Sequence, residues 1–185
     1  ETATSLLNEH VTPFFQAISH GLYTPEFSRG GEVSIGVDES DERCVEQAVN
    51  RSDADATGVV VIADAEHASD QPGGWGRPGK PCELLATQCS ARVTGRATYI
   101  GASDFHPDWG DIPAVDLQEH EIGHSLGLPH SGEGNGYTSA IDLMSNSAAP
   151  RDVNPDRRNG PDTLGINRVA LGWLPLEDVA VGNPT

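Results

Sequence analysis

Residues 120–130 read HEIGHSLGLPH, and they hold three of the seven histidines of the chain. Residues four apart on a helix share one face, so His120 and His124 can aim their imidazoles at a single ion. Glu121 follows the first histidine directly. It stands beside the pair, close enough to reach a water on that ion without ligating it. Gly127 comes three residues after His124, where a positive φ can end a helix and turn the chain. Pro129 stiffens that turn, and His130 can swing back as a third nitrogen. Three neutral imidazoles with an open fourth position describe a catalytic zinc site. Structural zinc sites are usually cysteine-rich and closed, whereas Cys44, Cys82 and Cys89 are few and distant in sequence. With this composition the five-residue pattern arises by chance roughly once in ten thousand such chains, so a merely histidine-rich helix is the weaker reading.

Working outward, residues 113–126 read as the helix that carries the motif, opened by Pro113. Upstream, residues 5–19 have helical periodicity with a kink expected at Pro13. GEVSIGV (31–37) alternates like a strand, and residues 38–50 read as a second helix with an acidic start. TGVVVIAD (57–64) reads as a buried strand and QPGGWGRPGKP (71–81) as loop. SARVTGRATYIGAS (90–103) reads as one or two strands broken at Gly95. Long loops are expected at 131–139 and 145–161. Asp162 is expected to cap a last helix that Gly172 ends. These elements make an α+β fold: a mixed sheet with helices, then a loop-rich C-terminal part.

HEIGHSLGLPH resembles the metzincin zinc signature His-Glu-x-x-His-x-x-Gly-x-x-His. Its wording is locally similar to the matrix metalloproteinases, including the serine after the third histidine. NRVALGWLP and ISHGLYTPEF look more like secreted microbial enzymes of the gametolysin type. Metzincins also carry a Met-turn beneath the zinc ligands, and Met144 in IDLMSN, the only methionine, matches it. The resemblance implies a twisted mixed sheet with an active-site helix and a C-terminal helix, in two lobes around a cleft. Residues 1–130 would form the N-terminal lobe and 131–185 the loop-rich C-terminal lobe of one catalytic domain. It further implies an extended substrate along an edge strand near 97–101 and a pocket walled by the loop 145–161. Three features depart from the family. The gap from His130 to Met144 is longer than in the matrix enzymes. His67 and His106 do not reproduce the spacing of their structural zinc. Asn146 stands where astacins and serralysins have a further tyrosine ligand, while Tyr137 reads as a loop residue that could reach the cleft.

The function this implies is zinc-dependent hydrolysis of peptide bonds in extended substrates, with His120, His124 and His130 as ligands and Glu121 as general base. The alternatives are a noncatalytic metal-holding binding module and an amide hydrolase acting on a non-peptide substrate. A general base beside the metal argues for the enzyme; fold-level likeness leaves the substrate open.

The net charge is −17, with Lys80 the only lysine. Nucleic acid needs clustered Lys and Arg, so it is excluded as a partner, and insertion into a membrane finds no apolar run of sufficient length. A protein or peptide substrate and a monomeric state are expected. The acidic field suits cations, and Asp104, Asp108 and Asp111 form a candidate calcium cluster, with solvated turn residues the plainer reading. The odd cysteine count permits one bridge. Cys82 with Cys89 is the favoured pair, with Cys44 as alternative partner or all three as thiols. The chain reads as a mature or trimmed piece of a secreted, extracellular precursor with a prosegment.

Overall fold

The computed structural model describes residues 2–64, 73–80, 95–105, 113–132 and 136–178. The N-terminal helix runs as α1 (Ala3–Leu6), a wide π turn (Leu7–Val11) and α2 (Thr12–Ile18). The Thr2 side chain accepts from Ser5 N and caps its start. The expected disturbance at Pro13 takes the form of that π turn. Thr12 N–H reaches back to Leu7 O, and Pro13, which has no N–H to donate, enters just where the helix widens. Helix α3 (Asp41–Arg51) starts at Ser40, whose hydroxyl accepts from Arg43 N, and carries Asp41 and Glu42 at the positive end of its dipole.

Among the described residues three strands form one sheet, β1 (Val59–Ala63), β2 (Gly74–Arg77) and β3 (Ala97–Gly101), in the order β1-β3-β2. β1 pairs with β3 in parallel, Val61 opposite Tyr99; β2 pairs with β3 antiparallel, Trp75 opposite Tyr99. The sheet is therefore mixed and the fold α+β. Two sequence expectations are corrected here. Strand 97–101 is the centre of the sheet and not its edge: all five of its residues are buried, which suits a strand flanked on both sides. Among the described residues β2 stands at the edge beside it, inside a stretch expected to be loop. The Gly-Trp-Gly-Arg sequence has almost no strand propensity, and it is held by its ladder with β3.

Residues 31–37 form no ladder either. Their alternation is real, since Val33 and Ile35 are half-buried between exposed neighbours, and Ile35 packs on a core cluster. Burial of alternate side chains does not require a partner strand. The long loop 145–161 contains a short helix, α5 (Ala149–Val153), opened by Pro150.

Helix α4 (Asp116–Ser125) carries the histidine motif and begins three residues after Pro113. The last helix, α6 (Gly165–Ala170), starts later than expected. Leu164 stands at its N-cap, and Asp162 accepts instead from Thr163 N and Arg168. Gly172, at φ +71°, follows its end.

Among the described residues the core has two clusters. The first joins Leu7, Val11, Phe15 and Ile18 of the N-terminal helix to Val115, Ile122, Leu128, Leu143, Met144 and Trp173. The second joins Cys44, Val45 and Val49 of α3 to Val61, Ala63, Ala97 and Tyr99 of the sheet. Cys44 is a free, buried thiol. Cys82 and Cys89 lie outside the described residues, as do Asp108, Asp111, His67 and His106. Among the described residues no helix is long and apolar enough to cross a membrane.

Candidate metal centre

Helix α4 lies against both β2 and β3. Its contact with β2 is close because that strand presents glycines. A Cβ on Gly76 would overlap the Glu121 carbonyl oxygen and stand 2.8 Å from His124 Cβ. One on Gly74 would stand 3.0 Å from Glu121 Cγ. Trp75, between them, and Arg77, just after, point the other way. Trp75 stacks on Tyr99 at 5.8 Å and donates from Nε1 to Asp41 at 2.5 Å, and Arg77 lies over the Trp75 ring. The period of two in Gly-Trp-Gly-Arg thus gives one bare face for the helix and one anchored face for α3.

His120 and His124 stand one turn apart on α4, as their spacing predicts. Gly127, at φ +99°, turns the chain after the helix, and Leu128 N reaches back to Gly123 O. That turn brings His130 to the pair. His120 Nε2 lies 3.1 Å from His124 Nε2 and 3.2 Å from His130 Nε2, and no other trio of potential metal ligands converges among the described residues. Tetrahedral bonds of about 2.0–2.1 Å from nitrogen to zinc put ligand nitrogens roughly 3.3 Å apart, so this spacing fits one ion.

The opposite ring nitrogens are held by backbone. His120 Nδ1–H donates to Leu143 O at 2.7 Å, and His124 Nδ1–H to Leu128 O at 2.7 Å. Each bond fixes the tautomer that leaves Nε2 with a lone pair for a metal. Burial holds the His120 imidazole down to about 4, and it also lowers that of His124. Both are therefore neutral, as ligands must be, at pH 7.

Met144 is fully buried beneath the motif. Its carbonyl accepts from Ser131 N at 2.9 Å, tying it to the residue after His130, while its neighbour Leu143 supplies the acceptor for His120. Asp142 anchors this turn from the other side. Its buried carboxylate accepts from Ser131 Oγ, Thr163 Oγ1 at 3.0 Å, Leu164 N at 3.2 Å and Asn167 Nδ2 at 3.3 Å. Sequence reasoning missed Asp142. The only signal was its place two residues before the single methionine. A second buried acid, Glu119, accepts from Asn159 Nδ2 at 2.6 Å and Gly160 N at 2.8 Å, and so docks the end of the 145–161 loop on α4.

Glu121 is 5% exposed, and its Oε2 has no hydrogen-bond partner among the described residues. Burial, helped by the Asp104 carboxylate, raises it to about 7. A buried acid without a partner is costly, and here it lies on the helix that carries the histidines, beside the bare backbone of Gly74. Asp104, expected at a calcium cluster, uses Oδ2 to accept from Gly101 N at 3.0 Å and also bonds the Gly73 backbone, which joins the end of β3 to the start of β2.

Comparison with protein-family models, curated proteins and solved structures gives no match, and the chemistry of the site is carried by its own residues and their geometry.

Proposed function

We propose that this protein is a zinc-dependent endopeptidase of metzincin type, acting outside the cell on extended protein or peptide segments. One observation carries the reading: three histidine Nε2 atoms converge at ligand spacing beside a buried glutamate whose carboxylate has an unpartnered oxygen. His120, His124 and His130 would hold the ion. When bound, such an ion supplies Lewis acidity to the scissile carbonyl and lowers the pKa of the attacking water. The all-imidazole donor set with room for a further ligand suits catalytic zinc.

Glu121 takes the proton of the attacking water and passes it to the leaving amine. A carboxyl raised towards neutrality can both accept and return a proton in that range. The extended substrate would add to the outer edge of β2, which among the described residues has no strand on that side. Gly74 and Gly76 lie against α4 there, so the edge runs directly beside Glu121 and His124.

The test is cleavage of casein or gelatin in the presence of 1,10-phenanthroline. Activity should vanish on chelation and return with zinc. Cleavage that survives complete metal removal would refute the mechanism.

A further inference from the structure

A fourth side chain meets the histidine triad from the loop before the Met-turn. Tyr137 Oη lies 3.3 Å from His130 Nε2, and its ring centroid stands 5.1 Å from that of His130 and 5.9 Å from that of His120. His130 Nε2 is also the atom that converges on His120 Nε2 at 3.2 Å. The phenol oxygen thus stands as far from one ligand nitrogen as the ligand nitrogens stand from one another. That is the spacing of neighbouring donors around a tetrahedral zinc, roughly 3.3 Å.

Packing does not account for this placement, because Tyr137 is 58% exposed. Backbone restraint does. Ser139 N donates to Ser145 Oγ at 3.0 Å, and Asn146 N donates to Ser139 O at 3.1 Å, so the segment just after Tyr137 is tied to the chain just after Met144. On its other side Gly136 O packs so tightly on Gly132 that a Cβ there would overlap it. The loop is pinned on both flanks of the tyrosine, and the ring rests on histidines.

We propose that Tyr137 is a fourth protein ligand of the metal centre when no substrate is bound, coordinating through its phenolate oxygen. The phenol proton passes to solvent as the oxygen–metal bond forms. This rests on the reading of the triad as a metal site. It adds a residue that the spacing of the histidine motif does not include, seven positions before Met144. An exposed phenol on a loop can move aside, so this fourth position would open to a substrate carbonyl while the three histidines stay in place.

The test uses copper(II) as probe on the full chain, wild type and Tyr137→Phe, with zinc affinity measured by competition titration. Wild type should show a visible phenolate-to-copper charge-transfer band that Y137F lacks. Y137F should also bind zinc about tenfold more weakly, in the range seen when a group around a metal is removed. Phenylalanine keeps the ring contact with His130, so a structural role alone would leave both readouts unchanged. A wild type that binds copper without the charge-transfer band, with zinc affinity equal in both proteins, overturns the assignment of Tyr137 and leaves the triad standing. Failure of the wild type to bind either ion overturns the metal site itself, and this assignment with it.

Discussion

Gly123 of α4 faces Met144 so closely that a Cβ on the glycine would overlap the methionine Sδ and lie 3.3 Å from its Cε. Position 123, between His120 and His124, is therefore constrained by Met144. Met144 also touches the chain through Ser131, and its neighbour Leu143 orients His120. The methionine is a spacer between the ligand helix and the segment that returns His130.

Gly123→Ala should overpack this contact and destabilise the protein by about 1–3 kcal/mol, while Met144→Leu, which conserves volume, should cost less than about 1.5 kcal/mol and keep activity. Urea unfolding of both variants separates them. Equal stability of Gly123→Ala and wild type would show that the methionine yields freely.

Gly76→Ala should be the more damaging glycine change in β2. A new Cβ there would lie within 2.8 Å of three atoms of α4, the Glu121 carbonyl oxygen nearest, with His124 Cβ and Ser125 N, whereas on Gly74 it would lie that close to one atom, the Tyr99 carbonyl oxygen. The strand must move off the helix, with peptidase activity lost and stability lowered by a few kcal/mol, at the upper end of overpacking costs, about 3 kcal/mol. At Gly74 a Cβ would overlap the Tyr99 carbonyl oxygen of β3 and also crowd the Glu121 side chain. Gly74→Ala should therefore lower both the thermal unfolding temperature and kcat.

Asp142→Ala removes the acceptor for four donors at the base of the turn that holds Met144. Each donor left buried and unpaired costs about 1–3 kcal/mol, so a loss of at least about 3 kcal/mol is expected. Zinc affinity should fall as well, because Ser131 adjoins His130. Asp142→Asn keeps the acceptor oxygen and should recover part of both. An alanine variant with native stability and affinity would contradict the anchoring role.

Metal-free protein should show opposite pH linkages at Glu121 and His120. The folded pKa of Glu121 is raised, to about 7, so its relative stabilisation is complete below the unfolded value and is lost as pH rises through about 7. Glu121→Gln should therefore be more stable than wild type above pH 7 and should not be so near pH 4. The folded pKa of His120 is depressed, from 6.5 to about 4. Its unfolded form takes up a proton that the folded form refuses, so stability falls as pH drops from 6.5 towards 4, by on the order of 3 kcal/mol at the low end. Thermal melts across this range, with chelator present, read both effects. A bound divalent cation favours the Glu121 carboxylate, so the acid limb of kcat/KM should lie below pH 7.

The motif was legible because a helix imposes its own period. His120 and His124 had to share a face, and Gly127 had to turn the chain for His130 to return. Helix α3, strands β1 and β3 and the motif helix followed from hydrophobic periodicity and end signals within one or two turns. β2 escaped because its sequence is glycine-rich, and glycine reports what packs against it, not what it prefers. The same reason misassigned the sheet edge: a run such as Ala97–Gly101 declares itself a strand, but not how many neighbours it has. Asp142 and Glu119 were invisible because a buried carboxylate is distinguished from a solvated one only by donors distant in the chain.

The sequence by itself determined the identity of the three histidines, the glutamate beside them and the buried methionine, because spacing along a helix and a turn is a local property. Only the tertiary structure decided which tautomer His120 and His124 adopt, which described strand lies beside the helix at the edge of the sheet, and that Tyr137 stands at ligand distance from His130. Those depend on carbonyls, strands and loops that meet across long separations in the chain. Contact between such segments is set by packing of the whole core and has no period for a sequence to display.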